Sequence, residues 1–310
     1  MNFTEETKIN ILENLEDNRS SDFAFIWGVT KCLASLDVYK QGFSLTYEIK
    51  NENLTNTLLM LLKKYYDFEI EFNFPSQEPR IYKISAKGKQ VNDMLKSMGL
   101  CHYDNDNFVY DSGAKSLEKL TNRLAVQSFM QGVFCSVGGV YIPSDIDSRE
   151  GYHLEMSFFQ EDFAVGLQTL LANCDISLHY AERGNSYILY SKNSQTISDF
   201  FAFIKAMDSV TFINDIMIKR QLNNQINRAS NSMVFNADKV AVANYKYINA
   251  INKIDNTIGI ARLEEKLRDI AKARLENNTE SMGELALRLN ISKSSLSRAL
   301  TKIVKISEEQ

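Results

Sequence analysis

Residues 281–303 read SMGELALRLNISKSSLSRALTKI, a pattern of two amphipathic helices joined by a tight turn. Ala286 is small enough for the two helices to cross, Asn290 tolerates the positive φ of a turn, and Leu296 faces inward from the second helix. These positions are four and six residues apart, the spacing of a helix-turn-helix motif. The sequence therefore predicts such a motif, with these three residues as its core positions.

The second helix of the predicted motif would present one polar face. Ser292 is placed to cap this helix, and with Leu296 and Leu300 turned inward the helical period turns several polar residues outward. The cap and these polar residues form the predicted DNA-binding surface: Ser292, Lys293, Ser294, Ser297, Arg298, Thr301 and Lys302. Arg298 could bind guanine with two hydrogen bonds, whereas the lysines suit phosphates. The alternative interpretation is an ordinary solvated helix face.

The distribution of charge favours a nucleic-acid partner for the C-terminal part of the chain. The whole chain has a formal net charge of −4, but residues 215–305 hold 16 Lys and Arg against 9 Asp and Glu. Subtracting this +7 and the −2 of residues 306–310 from −4 leaves −9 for residues 1–214. Because phosphate binding requires a local surplus of basic residues, we expect double-stranded DNA to bind the C-terminal part.

An internal repeat accounts for most of the remaining chain. Residues 26–100 and 130–208 share one order of elements: a helix, two strands, a helix, two strands and a closing helix. Gly28 and Gly132 lie at equivalent places in the first helix of each copy, where a missing side chain would let two helices approach closely. The alternative interpretation is that each helix merely tolerates its glycine, without a close contact to another helix. We expect the copies to pack around a pseudo-twofold axis, because each has too little helix to cover its sheet.

These patterns predict an α+β fold, in which a duplicated pseudo-twofold αββαββα domain is followed by an all-α helix-turn-helix domain. A roughly 3.6-residue apolar period favours helices between the two domains. The predicted boundaries are 1–208 for the duplicated domain, with halves of about 1–100 and 101–208, then a helical connector over 209–258 and the helix-turn-helix domain over 259–310.

Several short segments together resemble one bacterial family. They are Met130–Gly139 before a strand, Gly151–Glu155, Asn227-Arg228 with Asn231, Asn236–Lys239, and the C-terminal segment quoted above. In their order and spacing they resemble the WhiA family of transcription regulators, which join a degenerate LAGLIDADG homing-endonuclease-like domain to a C-terminal helix-turn-helix. The resemblance covers nearly the whole chain. It implies a LAGLIDADG-like fold for the duplicated domain and a DNA-binding regulator of cell-division or sporulation-linked genes.

The resemblance also bears on catalysis. An active LAGLIDADG nuclease needs an acidic residue near the C-terminal end of each motif helix to hold a divalent metal. Counted from Gly28 and Gly132, these positions fall on Leu33 and Val137, which cannot coordinate Mg²⁺, and Asp37 lies four residues too late. We therefore expect degenerate motif helices, no metal, no catalytic residues and no DNA cleavage.

Composition narrows the function further. The four cysteines form no CxxC pair and the three histidines lie at no ligand spacing to them, so we expect neither a zinc site nor any cofactor. The sequence shows neither a secretory signal nor a membrane span, which predicts a cytoplasmic, nucleoid-associated protein. Two other functions stay open: a scaffold that contacts RNA polymerase or another transcription regulator, and an active DNA endonuclease. The oligomeric state is left open.

Overall fold

The chain divides into two units, Met1–Gln221 and Leu222–Gln310, in the computed structural model. The structure describes residues 2–39, 42–73, 80–104, 107–110, 113–143, 148 and 150–310. No helix within these described ranges combines the length and the apolar character needed to cross a membrane.

The first unit begins with a helix that the sequence patterns did not reveal, α1 (Phe3–Glu13). The first αββαββα half follows, with these elements: α2 (Arg19–Leu33), β1 (Ala34–Tyr39), β2 (Gly42–Ile49), α3 (Glu52–Tyr65), β3 (Glu69–Asn73), β4 (Tyr82–Lys87) and α4 (Lys89–Ser97). The four strands form one antiparallel sheet in the order β1-β2-β4-β3. Side chains of β4 alternate between buried and exposed positions, as expected for a sheet with one covered face.

A second αββαββα half repeats this arrangement. It is preceded by a hairpin, β5 (Cys101–Asp104) with β6 (Asn107–Tyr110), and by the 3-10 helix Ala114–Lys119. Its elements are α5 (Arg123–Val137), β7 (Gly138–Tyr141), β8 (His153–Phe158), α6 (Glu161–Ala172), β9 (His179–Arg183), β10 (Ser186–Ser191) and α7 (Ser194–Phe203). The sheet order β7-β8-β10-β9 matches that of the first half. The predicted α+β duplication is therefore confirmed.

Helices α2 and α5 pack directly against each other at the centre of the first unit. A Cβ atom added to Gly28 would overlap the carbonyl oxygen of Phe129, and one added to Gly132 would overlap the carbonyl oxygen of Phe25. Both helices also begin in the same way, because the side chain of Asn18 caps α2 and the side chain of Asn122 caps α5. The reciprocal contacts are those of two copies related by a pseudo-twofold axis.

The predicted connector is one continuous helix, α8 (Met207–Thr257), of 51 residues. Near its start, Ile213 and Ile216 are buried in the core of the first unit. Near its end, Ile251 and Ile254 are buried in the core of the second unit. Each end of the helix thus belongs to a hydrophobic core, and the division between the units falls inside the predicted connector rather than at its ends.

The second unit completes its core with three further α-helices. They are α9 (Glu265–Glu276), α10 (Met282–Arg288) and α11 (Lys293–Glu308), and a 3-10 helix, Ile260–Arg262, precedes them. Leu267, Leu285, Leu300 and Ile303 are among the buried residues that hold the helices together. Because α8 also contributes apolar residues, this core includes residues before the predicted domain start at 259.

Candidate DNA interface

The turn between α10 and α11 has the geometry of a helix-turn-helix. Asn290 adopts φ +51°, in the left-handed region, and its side chain is exposed. The N–H of Asn290 donates to the carbonyl of Leu287 at 3.1 Å, and the N–H of Ile291 donates to that of Ala286 at 3.0 Å. Ala286 and Leu296 are buried where the helices meet. Asn290 thus acts through its backbone, while Ala286 and Leu296 pack.

Helix α11 separates an apolar face from a polar one. Leu296, Ala299, Leu300 and Ile303 are buried, and the hydroxyl of Ser292 caps the helix by accepting from the N–H of Ser295 at 3.2 Å. All seven residues of the predicted surface are exposed: Ser292, Lys293, Ser294, Ser297, Arg298, Thr301 and Lys302. They occupy the cap and one continuous side of the helix.

Lys302 and Thr301 of this surface already have partners within the unit. The ammonium of Lys302 lies 2.9 Å from both carboxylate oxygens of Glu264, and both side chains are largely exposed. The hydroxyl of Thr301 donates to the carbonyl of Ser297 at 2.8 Å. Lys302 is therefore partly neutralised at the edge of the face, whereas Lys293 and Arg298 form no ion pair with any of the described residues.

A capping box fixes the start of α10. The hydroxyl of Ser281 accepts from the N–H of Glu284 at 3.3 Å, and the Glu284 carboxylate accepts from the N–H of Ser281 at 2.7 Å. These hydrogen bonds, chiefly the one from the Ser281 backbone, lower the pKa of Glu284. Thr279 and Ser281 both precede α10 with a hydroxyl that could cap it, and the structure uses Ser281.

Three side chains hold the loop that joins α9 to α10. The amide of Asn244 donates to the carbonyls of Asn278 and Glu280, at 3.1 and 2.9 Å. The buried guanidinium of Arg274 donates to the same Glu280 carbonyl at 2.6 Å, and burial lowers its pKa. Arg288 lies 2.9 Å from the Glu280 carboxylate. The sequence patterns did not identify these supports, because all three are ordinary polar residues of helices until the loop folds against them.

In the duplicated domain, the ends of the two central helices carry apolar residues. Leu33 is the last residue of α2 and Val137 is the last residue of α5. Asp37 lies in β1 and is exposed, and the position equivalent to it in the second half, 104 residues later, is Tyr141 at the end of β7. Among the described residues, no three His, Cys, Asp or Glu side chains cluster in a way that could hold a metal ion.

Helix α1 lies beside these helix ends. Glu5 and Lys8 of α1 line a cavity of about 450 Å³ together with Leu33, Cys135 and Ser136. The hydroxyl of Thr4 donates to the carbonyl of Val140 at 2.8 Å, which ties α1 to the strand that follows α5. The surface at the end of α5 is thus partly occupied by another element of the chain.

The cysteines are free thiols in largely apolar surroundings. Cys101, Cys135 and Cys174 are buried, and Cys32 is half-buried. Burial raises the pKa of Cys32 and of Cys135 to about 12, and that of Cys101 to about 11. At neutral pH these three thiols are therefore protonated and poor nucleophiles.

The fold and the C-terminal face together define a class of protein. It has two αββαββα halves whose central helices cross at paired glycines, followed by a helix-turn-helix with an exposed polar face. The family model of the WhiA LAGLIDADG-like domain matches residues 24–103 and 126–223. The model of the WhiA C-terminal HTH domain matches residues 226–307. The chain belongs to the WhiA family.

Individual relatives are similar over almost their full length. "Probable cell division protein WhiA" of Ligilactobacillus salivarius is 30% identical, over 96% of this chain and 94% of its own. The protein of the same name from Bacillus subtilis is 29% identical, over 100% of this chain and 97% of its own. The crystal structure of full-length DUF199/WhiA from Thermotoga maritima has a TM-score of 0.61 at 25% identity, covering 100% of this chain and 99% of that one.

Proposed function

We propose that this chain is a sequence-specific DNA-binding regulator of transcription that reads duplex DNA with α11. The observation that carries the proposal is the exposed polar face of this helix. Helical spacing predicts this face from the sequence, and the burial of the opposite, apolar side supports it. Between Ser292 and Ser307 the chain has four basic residues and no acidic one. A helix with this charge can enter the major groove while its apolar side stays in the core of its own unit.

Within this face, two kinds of contact have different consequences. Arg298 is in the middle of the exposed side, where its planar guanidinium suits the O6 and N7 atoms of guanine. Lys293 lies in the first turn of α11 and suits a phosphate, which carries no sequence information. Arg298 therefore supplies specificity in this proposal, and Lys293 supplies affinity that depends on salt.

The regulated genes are proposed from the relatives. Those from Ligilactobacillus salivarius and Bacillus subtilis carry the name "Probable cell division protein", which favours cell-division genes, with sporulation-linked genes as the extension that the family resemblance implies. A regulator of this kind acts in the cytoplasm, in association with the nucleoid.

The duplicated domain has a non-catalytic role in this proposal. Apolar Leu33 and Val137 stand at the ends of α2 and α5, where a metal-dependent nuclease would place acids. Residues 1–214 also carry a net charge of −9, which opposes binding of phosphates to this domain. A contact with another protein or with a second copy of the chain suits this domain better than a contact with DNA.

Selection from a random duplex library tests the proposal. The full-length chain is expected to enrich one sequence motif, and Arg298→Ala is expected to lose or relax that enrichment. Lys272→Ala is the matched control, because Lys272 is an exposed basic residue of α9 outside the proposed surface. Failure of the full chain to retain any duplex would contradict DNA recognition and favour the scaffold that contacts RNA polymerase or another regulator.

A further inference from the structure

A cavity of about 600 Å³ opens in the first half of the duplicated domain, between α2, the end of α3, and α4. This volume is typical of sites for small molecules. Its floor includes Ile26 and Met94, which are buried. Phe23, Tyr65 and Tyr66 line it as half-buried aromatic walls. The proposed DNA-binding surface on α11 belongs to the other unit, so this cavity is a separate feature.

The pseudo-twofold repeat provides an internal comparison for this cavity. Buried residues recur at the same spacing in the two closing helices: Val91, Met94, Leu95 and Met98 in the first half, and Ile197, Phe200, Phe201 and Ile204 in the second. Both helices also end alike. Gly99 and Lys205 have positive φ, and the next N–H donates to a carbonyl five residues earlier, at 2.9 Å in each case. The two helices can therefore be aligned residue by residue, with an offset of 106.

In this alignment, exposed Ser97 corresponds to buried Phe203. The guanidinium carbon of Arg123 lies 5.3 Å from the centre of the Phe203 ring, and the side-chain amide of Gln127 donates to the Phe203 carbonyl. Arg123 is itself equivalent to Arg19, since each is the first residue of its central helix. The second half thus packs a phenylalanine of its own beneath this arginine, whereas the first half has a serine.

The aromatic wall is also specific to the first half. Buried Leu54, Leu58 and Leu62 of α3 align with Phe163, Leu167 and Leu171 of α6, at an offset of 109. Tyr65 and Tyr66 then correspond to Cys174 and Asp175. The ring of Tyr66 is stacked on that of Phe68, with the two planes 4° apart and their centres 4.8 Å apart, so this part of the wall is pre-formed.

The rim of the cavity carries a cation and an anion. Arg19 and Asp93 both line it and both are exposed. The guanidinium of Arg19 lies 6.0 Å from the centre of the Tyr65 ring, and it forms no ion pair with an acidic residue in the described part of the chain. An arginine suits a phosphate, aromatic rings suit a planar base, and a carboxylate accepts from ribose hydroxyls or an exocyclic amine.

We propose that this cavity binds a nucleoside phosphate, with the phosphate at Arg19, the base against the aromatic wall and a donor of the nucleoside at Asp93. The site is confined to the first half, because the second half fills the equivalent space with Phe203.

The test uses the purified full-length chain in isothermal titration calorimetry. The probes are the common nucleoside mono-, di- and triphosphates, with adenosine, guanosine and inorganic phosphate as separate arms. At least one nucleotide is expected to bind with a stoichiometry of one, and the matching nucleoside and inorganic phosphate are each expected to bind more weakly. No binding of any nucleotide at millimolar concentration would overturn the proposal, as would inorganic phosphate binding as tightly as the nucleotide.

Three variants locate the site. Ser97→Phe copies the side chain of the second half and is expected to abolish nucleotide binding. Arg19→Met removes the charge at the rim and is expected to weaken binding by about 10- to 100-fold, the usual effect of losing a charge-assisted hydrogen bond. Arg123→Met is the matched control at the equivalent position and should bind like the native chain. If Ser97→Phe does not fold, Arg19→Met decides the question, and unchanged affinity in Arg19→Met overturns the proposal.

Discussion

Gly28 and Gly132 face each other's helix in reciprocal positions at the centre of the duplicated domain. A Cβ atom on Gly28 would overlap a carbonyl oxygen of α5 and lie 3.0 Å from the N–H nitrogen of Val133. A Cβ atom on Gly132 would overlap a carbonyl oxygen of α2 and lie 3.0 Å from that of Val29. In both cases the obstacle is backbone, which cannot move aside as a side-chain end can.

Alanine at either glycine is therefore expected to destabilise the domain. We expect Gly28→Ala and Gly132→Ala each to lower the free energy of unfolding by about 1–3 kcal/mol, the usual cost of overpacking a core. Urea unfolding followed by the fluorescence of Trp27 measures this, since the only tryptophan lies on α2 with its ring centre 5.4 Å from that of Phe129. Gly139→Ala is the control, because no atom of the described residues lies within 4 Å of the added Cβ atom. Equal midpoints for all three variants would contradict the close crossing.

The cap of α10 makes a second prediction. Ser281→Ala is expected to destabilise the start of this helix by about 1 kcal/mol, the typical effect of losing a serine cap. Hydrogen exchange of the α10 amides measures it directly. Thr279→Ala is the matched control, because Thr279 is exposed and caps no helix. Similar loss of protection in both variants would argue against the observed capping box.

Glu284 gives this cap a dependence on pH. Its folded-state pKa is lowered, so its contribution to stability is present above its ordinary pKa and is lost as pH falls through the lowered value. We expect the protection factors of the α10 amides to decline in acid for the native chain. In Glu284→Gln this decline should be absent from α10. Glu265→Gln, an exposed acid in the first turn of α9, should behave like the native chain.

The ends of the central helices make a prediction about catalysis. Because Leu33 and Val137 cannot hold Mg²⁺, the purified chain is expected to leave supercoiled plasmid intact in the presence of Mg²⁺ or Mn²⁺. Agarose gels of plasmid after prolonged incubation measure this. Asp37→Asn separates an intrinsic activity from contamination, because Asp37 is the acid closest in sequence to the end of α2. Nicking by the native chain that disappears in this variant would show an active nuclease.

The parts of the fold that follow from local periodicity were accessible from the sequence. The repeated order of helices and strands rests on apolar spacing within short segments, and the turn at Asn290 rests on the φ preference of one residue. The α+β duplication predicted on this basis is confirmed. The single helix α8 was only partly foreseen, because its apolar residues serve two cores and therefore follow no single uniform stripe.

Features that depend on contacts between distant residues were not accessible. Lys302 and Glu264 are 38 residues apart, so nothing in either segment indicates that their charges meet. The burial of Arg274 depends on the carbonyl of Glu280, which the loop brings to it. Helix α1 and the β5–β6 hairpin were missed because both lie outside the repeat that guided the prediction.

The measurement that tests the central proposal most directly is fluorescence anisotropy of the full-length chain with its selected duplex and with a random duplex, over a salt series. We expect Arg298→Ala to weaken binding to the selected duplex by about 5- to 150-fold, equivalent to about 1–3 kcal/mol, and to change binding to the random duplex little. Lys293→Ala should weaken binding to both and reduce the salt slope by about 1. If the native chain binds neither duplex, α11 does not read DNA. The same conclusion follows if Arg298→Ala prefers the selected duplex over the random one as strongly as the native chain and the control Lys272→Ala do.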